Sequence, residues 1–182
     1  MRKVIAWELM TLDGYFEGPT PWDLSFHEDV WGDELEQFSL AQLDEAGVLL
    51  FGRRTYEGMA AYWPTEEGDI ARRMNSLPKI VFSSTLHAAD WAQTRLVRDS
   101  AEEEVRKLKA EDGKDLFIFG SATLVASLMD AGLMDEYRIC LTPRVLGSGN
   151  PLFKGGEAAT KLALLDAQPL TTGGVILRYR AG

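Results

Sequence analysis

Cysteine, histidine and basic charge are all scarce in this chain. Cys140 is the one cysteine, so no internal disulfide can form. It lies in the apolar run 137–141 and reads as a small core residue rather than a nucleophile. His27 and His87 are the two histidines, and neither H-E-x-x-H nor C-x-x-C occurs, so no metal site is expected. Lysine and arginine number 19 against 28 acidic residues, a net charge of −9. That balance argues against general affinity for nucleic acid or an anionic membrane surface. No apolar run reaches membrane-spanning length, and no basic-then-apolar leader opens the chain, so a cytoplasmic protein is the expectation. The two commonest nucleotide fingerprints, G-x-G-x-x-G after a strand and G-x-x-x-x-G-K-[ST], are also missing.

A hydrophobic fraction of 46 % and a charged fraction of 26 % suit a soluble globular protein. The length of 182 residues predicts one domain over 1–182 with a sizeable core. Three short apolar runs end in small or hydroxyl residues. The run 48–51 meets Gly52-Arg53-Arg54-Thr55 and then helix-compatible residues. The run 79–82 meets Ser83-Ser84-Thr85. The run 116–119 meets Gly120-Ser121-Ala122-Thr123 and the helical pattern Leu124, Val125, Leu128, Met129. A strand feeding a helix N-terminus offers backbone N–H groups and the positive end of a dipole, and guanidinium forks beside it favour an anion, phosphate above all. In open α/β sheets, ligands lie beyond the carboxyl ends of the strands.

The rest of the chain surrounds these junctions. Val4-Ile5-Ala6-Trp7-Glu8-Leu9-Met10 reads as a central strand buried on both faces, in which Glu8 must be paired, lie near the end or face a cavity. Thr11-Leu12-Asp13-Gly14 is a turn, followed by a long loop carrying Tyr15, Phe16 and Trp22 that has the makings of a lid or binding loop. A helix is predicted to about Ala46, with Gly47 at its end. Tyr56, Met59, Tyr62 and Trp63 recur at helical spacing until Pro64, as core or as the edge of a flat ligand. The polar stretch 65–75 reads as a surface excursion. The range 94–97 is a strand, Ser100 to Glu103 a capping box opening a helix to Lys109, and 137–142 a strand. The ranges 161–167 and 175–179 form an antiparallel hairpin about Thr171-Thr172-Gly173-Gly174.

The succession Met10-Thr11-Leu12-Asp13-Gly14, Gly52-Arg53-Arg54-Thr55-Tyr56-Glu57, Ser83-Ser84-Thr85, Phe119-Gly120-Ser121, Asp135-Glu136 and the loop 143–153 resembles the dihydrofolate reductase superfamily. It is most like the branch related to the reductase domain of bacterial riboflavin biosynthesis. The resemblance covers essentially the whole chain, and its most specific part is the segment from Gly52 to Glu57. It implies a three-layer α/β/α fold around a mixed, mainly parallel sheet with a C-terminal antiparallel hairpin, and NADPH as hydride donor. It implies that Gly52, Arg53, Arg54 and Thr55 meet cofactor phosphates, and that Ser83, Ser84 and Thr85 read the 2′-phosphate. Phe119, Gly120, Ser121, Ala122, Thr123 and Leu124 would hold the pyrophosphate, and Ala6, Leu12 and Gly14 would flank the nicotinamide. Where the folate reductases of the superfamily place an acid after a Pro-Trp loop, this chain has Pro21-Trp22 and then His27 with Glu28 beside it.

The expected function is NADPH-dependent reduction of a small pteridine- or aminopyrimidine-like heterocycle or a carbonyl compound. His27, Glu8, Asp13 and Glu28 are the proton-donor candidates, and His27 has the ordinary pKa best matched to neutral pH. Trp22, Tyr56, Met59 and Trp63 are candidates to edge the substrate. The competing expectation is a nucleotide-binding or interaction module on the same fold without catalysis. A homodimer is expected, because the loop 143–153 and the C-terminal hairpin place apolar residues at a sheet edge.

Overall fold

The computed structural model describes residues 1–153 and 159–182. In chain order the elements are β1 (Val4–Thr11), β2 (Tyr15–Glu17), a 3-10 turn (Ser25–Asp29), α1 (Asp33–Glu45), β3 (Ala46–Gly52), α2 (Arg53–Tyr62), a second 3-10 turn (Trp63–Thr65), α3 (Asp69–Ser76), β4 (Lys79–Phe82) and β5 (Thr94–Val97). There follow α4 (Ala101–Ala110), β6 (Asp115–Phe119), α5 (Ala122–Asp130), β7 (Glu136–Thr142), β8 (Asn150–Pro151), β9 (Leu162–Pro169) and β10 (Val175–Ala181). Eight strands form one sheet in the order β5-β4-β3-β6-β1-β7-β10-β9. Every pairing from β5 through β7 is parallel, and β10 runs antiparallel to both β7 and β9. The expected three-layer fold with its closing hairpin is therefore present. No helix among the described residues is long and apolar enough to cross a membrane.

Strand pleating divides the core. Alternate residues of β1 face opposite ways. Val4 and Ala6 pack with Val48, Leu50 and Ile118 under α4 and α5, through Val105, Leu108, Leu124, Val125 and Leu128. Ile5 and Trp7 pack with Leu49, Phe51, Val81 and Phe117 under α1, α2 and α3, through Leu35, Leu43, Tyr56 and Met74. Strands buried on both faces are apolar throughout, which is why the central ones were legible as runs. Ser100 caps α4 as expected, its Oγ accepting the Glu103 N–H at 3.3 Å.

Three expectations need correction. The stretch 65–75 is no excursion: Ile70, Ala71 and Met74, at helical spacing, fold most of it into α3, with Ala71 and Met74 buried. Gly47 does not end α1 but sits inside β3, where a Cβ would come within 2.7 Å of the Lys114 carbonyl at the start of β6. The long loop after β1 contains β2, which pairs with β8, and the 3-10 turn Ser25–Asp29.

Two buried cations brace the sheet. Lys79, 1 % exposed, donates to the carbonyls of Asn75, Leu77 and Ala92 at 3.1, 2.7 and 3.0 Å. At the amino end of β7, Glu136 accepts from Arg138 Nε at 2.8 Å and Arg178 Nε at 2.9 Å. Arg138 also donates to Glu45 on α1 at 2.8 Å and lies over the Phe117 ring. Burial pushes the Glu136 carboxyl up, and the bonds from Arg138 and then Arg178 overcome it, leaving the carboxyl below its ordinary value. Removing one partner of a buried ion pair costs about 3–5 kcal/mol. Arg138→Met should lower unfolding free energy in urea by about that amount at pH 7. The deficit should shrink as acid protonates Glu136, because a depressed carboxyl contributes stability only above its ordinary range. A loss below about 1 kcal/mol would show that the pair is hydrated.

Candidate active site at the carboxyl ends of the strands

The parallel strands β1, β3, β4 and β6 end on the same side of the sheet, and two of these ends are fastened together. Gly52 N–H, at the end of β3, donates to Ser121 Oγ, just past β6, at 2.9 Å. Gly120 has φ +72°, and a Cβ there would lie 2.8 Å from Thr55 Cγ2 in the first turn of α2. Ser121 is also left-handed, at φ 67°. This turn sets the N-terminus of α5 beside that of α2. Neither helix has a side-chain cap or an acidic residue in its first turn, whereas α1, α3 and α4 all begin with acids. Ala122 and Leu124 are buried, so they reach this side only through their backbone.

Cations and hydroxyls gather along the next two strand ends. Arg53 donates from Nη1 to Thr85 Oγ1 at 2.7 Å and from Nε to Glu57 at 2.9 Å. Ser83 Oγ accepts the N–H groups of Thr85 and Leu86 at 3.2 and 2.9 Å, which holds the Ser83-Ser84-Thr85 turn. Arg98, one residue beyond β5, donates to the carbonyls of Ser84 and His87, both at 3.3 Å. Arg98 was not among the expected residues; it follows β5, whose Thr94-Arg95-Leu96-Val97 is half polar and gave no apolar run to mark its end. Arg54 faces elsewhere, and its Nη2 reaches both carboxylate oxygens of Glu17, at 2.8 and 2.9 Å.

Glu8 is the unusual acid. The register that sets Trp7 opposite Phe119 brings Glu8 alongside Gly120, whose backbone N–H its carboxyl accepts. The residue is 6 % exposed, and Oε1 has no hydrogen-bond partner among the described residues. Burial pushes this carboxyl well above the ordinary value, and the Gly120 bond offsets part of that rise.

The other proton-donor candidates fare differently. His27, in the 3-10 turn, is largely buried with Nε2 unpartnered, and burial takes its pKa down to about 4. The near-neutral titration expected of it is therefore absent. Asp13 accepts from Thr11 Oγ1 at 2.7 Å and from the N–H groups of Leu146 and Gly147 at 3.2 and 2.8 Å. The Thr11 bond leads in holding its carboxyl below the usual range, so Asp13 pins a loop as an anion instead of carrying a proton. Glu28 is exposed.

The aromatic candidates divide too. Tyr56 is buried, its hydroxyl accepting the Trp91 N–H at 3.0 Å, and so belongs to the core. Met59 and Trp63 are half-buried, linked by a 3.0 Å bond from the indole N–H to the Met59 sulfur. Trp22 lies across Gly58 of α2, where a Cβ would stand 1.8 Å from its ring. Ala6 and Phe119 are buried beside the site, Leu12 is exposed, and Gly14 turns at φ +92°.

The Glu8 carboxyl makes a pH prediction. Below pH 4.5, its ordinary value, folded and unfolded chains both hold the proton. Above it only the unfolded chain ionises, so stability falls until the raised folded value is passed. Relative to Glu8→Gln, the wild type should lose about 1.4 kcal/mol per pH unit across that window. Urea unfolding of both proteins from acid to neutral pH measures this, and parallel profiles would mean that the carboxyl is hydrated.

The RibD C-terminal domain family model matches residues 2–176. The uncharacterized protein YyaP of Bacillus subtilis is 30 % identical over 186 aligned residues, spanning 98 % of this chain and 94 % of YyaP. A Shewanella sp. PV-4 structure with a provisional riboflavin-biosynthesis name superposes with a TM-score of 0.83 at 19 % identity, covering 99 % of each chain. Dihydrofolate reductase from Enterococcus faecalis, solved with NADP(H), gives a TM-score of 0.60 at 16 % identity, covering 99 % of this chain and 96 % of that one. These structural likenesses establish the shared fold, and the sequence match over residues 2–176 establishes that the chain belongs to the RibD C-terminal domain family.

Proposed function

We propose that this protein is an NADPH-dependent reductase of a small, flat heterocycle of the pteridine or aminopyrimidine kind, or of a related carbonyl compound. The observation that carries the reading is Glu8: a buried acid with one oxygen unpartnered, set beside a glycine turn that opens a helix. A soluble scaffold gains nothing from an unsatisfied carboxyl in its core, since such a group costs free energy. In a reductase it is a proton source.

The donor set fits the cofactor. The N-termini of α2 and α5 suit a pyrophosphate. Arg53, Ser83, Thr85 and Arg98 offer a 2′-phosphate hydrogen bonds that a ribose hydroxyl, carrying no charge, cannot match. Gly120 leaves room where a side chain would meet Thr55. Bound NADPH supplies a hydride to an electrophilic carbon of the substrate. Glu8 delivers the proton that the adjacent nitrogen or oxygen needs, and Trp22, Met59 and Trp63 bound a face for a flat ring.

Fluorescence titration with both cofactors tests this. NADPH should bind more tightly than NADH. Arg53→Ala should remove about 1.5–3 kcal/mol from NADPH binding, roughly ten- to a hundredfold, and leave NADH unchanged. Equal affinities in the wild type would falsify the cofactor assignment. A binding module without catalysis would still discriminate the cofactors but would oxidise NADPH with none of a panel of dihydropteridines, aminopyrimidinones and carbonyl compounds.

The same proposal includes a pair of copies. Strand β9 is a sheet edge with residues 163–169 exposed, among them Leu164 at 57 % and Leu165 at 46 %. Such an edge is normally covered. Light scattering at micromolar concentration should give twice the chain mass of 20.2 kDa, and Leu164→Lys should return it to the monomer.

A further inference from the structure

Glu17 is a buried carboxylate with no part in the chemistry above, yet it draws in donors from three separate segments. It accepts Trp22 N–H at 2.5 Å, Arg54 Nη2 on both oxygens, and Asn150 Nδ2 at 2.5 Å. Its side chain is 7 % exposed, while that of Arg54 is 58 % exposed. Trp22 itself has φ 64°, a left-handed backbone that a residue with a bulky side chain adopts only when its surroundings hold it. What holds it is visible at both ends: the Glu17 bond to its N–H, and the notch at Gly58 that receives its ring.

We propose that Glu17 is a positioning residue with two linked effects. It seats the Trp22 indole on α2 as a wall for a flat ligand. It also occupies Arg54, so that anion recognition falls to Arg53 with Ser83, Thr85 and Arg98. The second effect rests on the NADPH reading and the wall on the flat-ring reading of the proposed function; the seat itself rests on neither. Adjacent arginines at one helix start thus have separate duties. Arg53 remains with the hydroxyl cluster at the ends of β3 and β4, and Arg54 is turned by a carboxylate from β2. A largely desolvated carboxylate competes well for a guanidinium: both Glu17 oxygens face Arg54 Nη2, and among the described residues no other cation pairs with Glu17. Gly58 completes the arrangement, since any side chain there would evict the ring.

The experiment reads Trp22 separately from the other four tryptophans, as the difference in acrylamide quenching between each protein and its counterpart with Trp22→Phe. Trp22 is 41 % exposed, with its ring covered on the Gly58 side, so Glu17→Gln should raise that quenching by up to about twofold. Arg54→Met should do the same, and the two together should add little, as a shared clasp requires. Gly58→Ala should expose the ring with the clasp intact, and it tests the seat without disturbing a buried charge should Glu17→Gln fold poorly. Restoring the charge with Glu17→Asp should recover part of the protection. Unchanged Trp22 quenching in Arg54→Met and in Gly58→Ala would overturn the seat. In NADPH titrations, Arg54→Met should keep affinity within about twofold while Arg53→Ala loses tenfold or more. Equal losses from the two would make Arg54 a phosphate ligand and overturn the division of labour. Trp22 exposure in Glu17→Gln with no effect of either arginine on NADPH would uphold the clasp and remove the cofactor reading alone.

Discussion

The fastening between the exits of β3 and β6 is the constraint on which the carboxyl end of this sheet depends. Gly52 N–H reaches Ser121 Oγ across 69 residues of sequence, and Gly120 lies so close to Thr55 that a Cβ does not fit. Two helix N-termini are thereby set side by side. Each presents a partial positive charge, equivalent to about half an elementary charge, and no first-turn acid relieves either. Holding like poles together is unfavourable, and an anion between them would relieve it. The same turn places the Gly120 N–H against Glu8, which joins the helix N-terminus and the acid in one piece of backbone.

The two ends of the parallel sheet handle charge in opposite ways. At the amino end of β7 the buried charges are paired: Glu136 with Arg138 and Arg178, and Arg138 again with Glu45. Such a network fixes α1 against the sheet, with Arg138 Nη1 also reaching Gln42 Oε1 at 3.5 Å. At the carboxyl end the buried acid Glu8 has an oxygen to spare, and the arginines are exposed and bound to neutral hydroxyls and carbonyls as well as to acids. The net charge of −9 does not by itself oppose an anion there. Screening over about 8–10 Å makes a few local cations outweigh distant acids.

Much of this was readable from the sequence wherever the signal was local. The central strands showed themselves as apolar runs because both of their faces are buried. Ser100 announced α4 through a capping pattern. The runs that end in Gly52, Ser83 and Gly120 are the strands β3, β4 and β6. What was illegible depended on partners distant in sequence. Arg53 and Arg54 are neighbours of the same type, and only the folded chain shows that Glu17, 37 residues from Arg54, takes one of them. Gly58 looks like an ordinary helix glycine until the Trp22 ring is seen in its notch. Tyr56 keeps helical register with Met59 and Trp63, but its hydroxyl is used by the Trp91 backbone. Helix α3 was hidden because three apolar residues among many polar ones suffice when the helix covers only a rim of the core.

The contrast between Glu8 and His27 shows why an ordinary pKa is a poor guide to which group carries a proton. Burial disfavours the charged form of either residue. For a carboxylic acid that means holding the proton to higher pH, and for an imidazole it means releasing it sooner. One physical effect therefore raises the Glu8 pKa and lowers that of His27, to about 4. A donor must also tolerate the charge left behind. The Gly120 N–H, which opposes the rise in the Glu8 pKa, stabilises that carboxylate once the proton has gone, and the neighbouring N-terminus of α5 adds to it. Burial and the Gly120 bond thus act on this carboxyl in opposite directions, with burial the larger. The register that sets Trp7 opposite Phe119 places the acid beside the Gly120 turn.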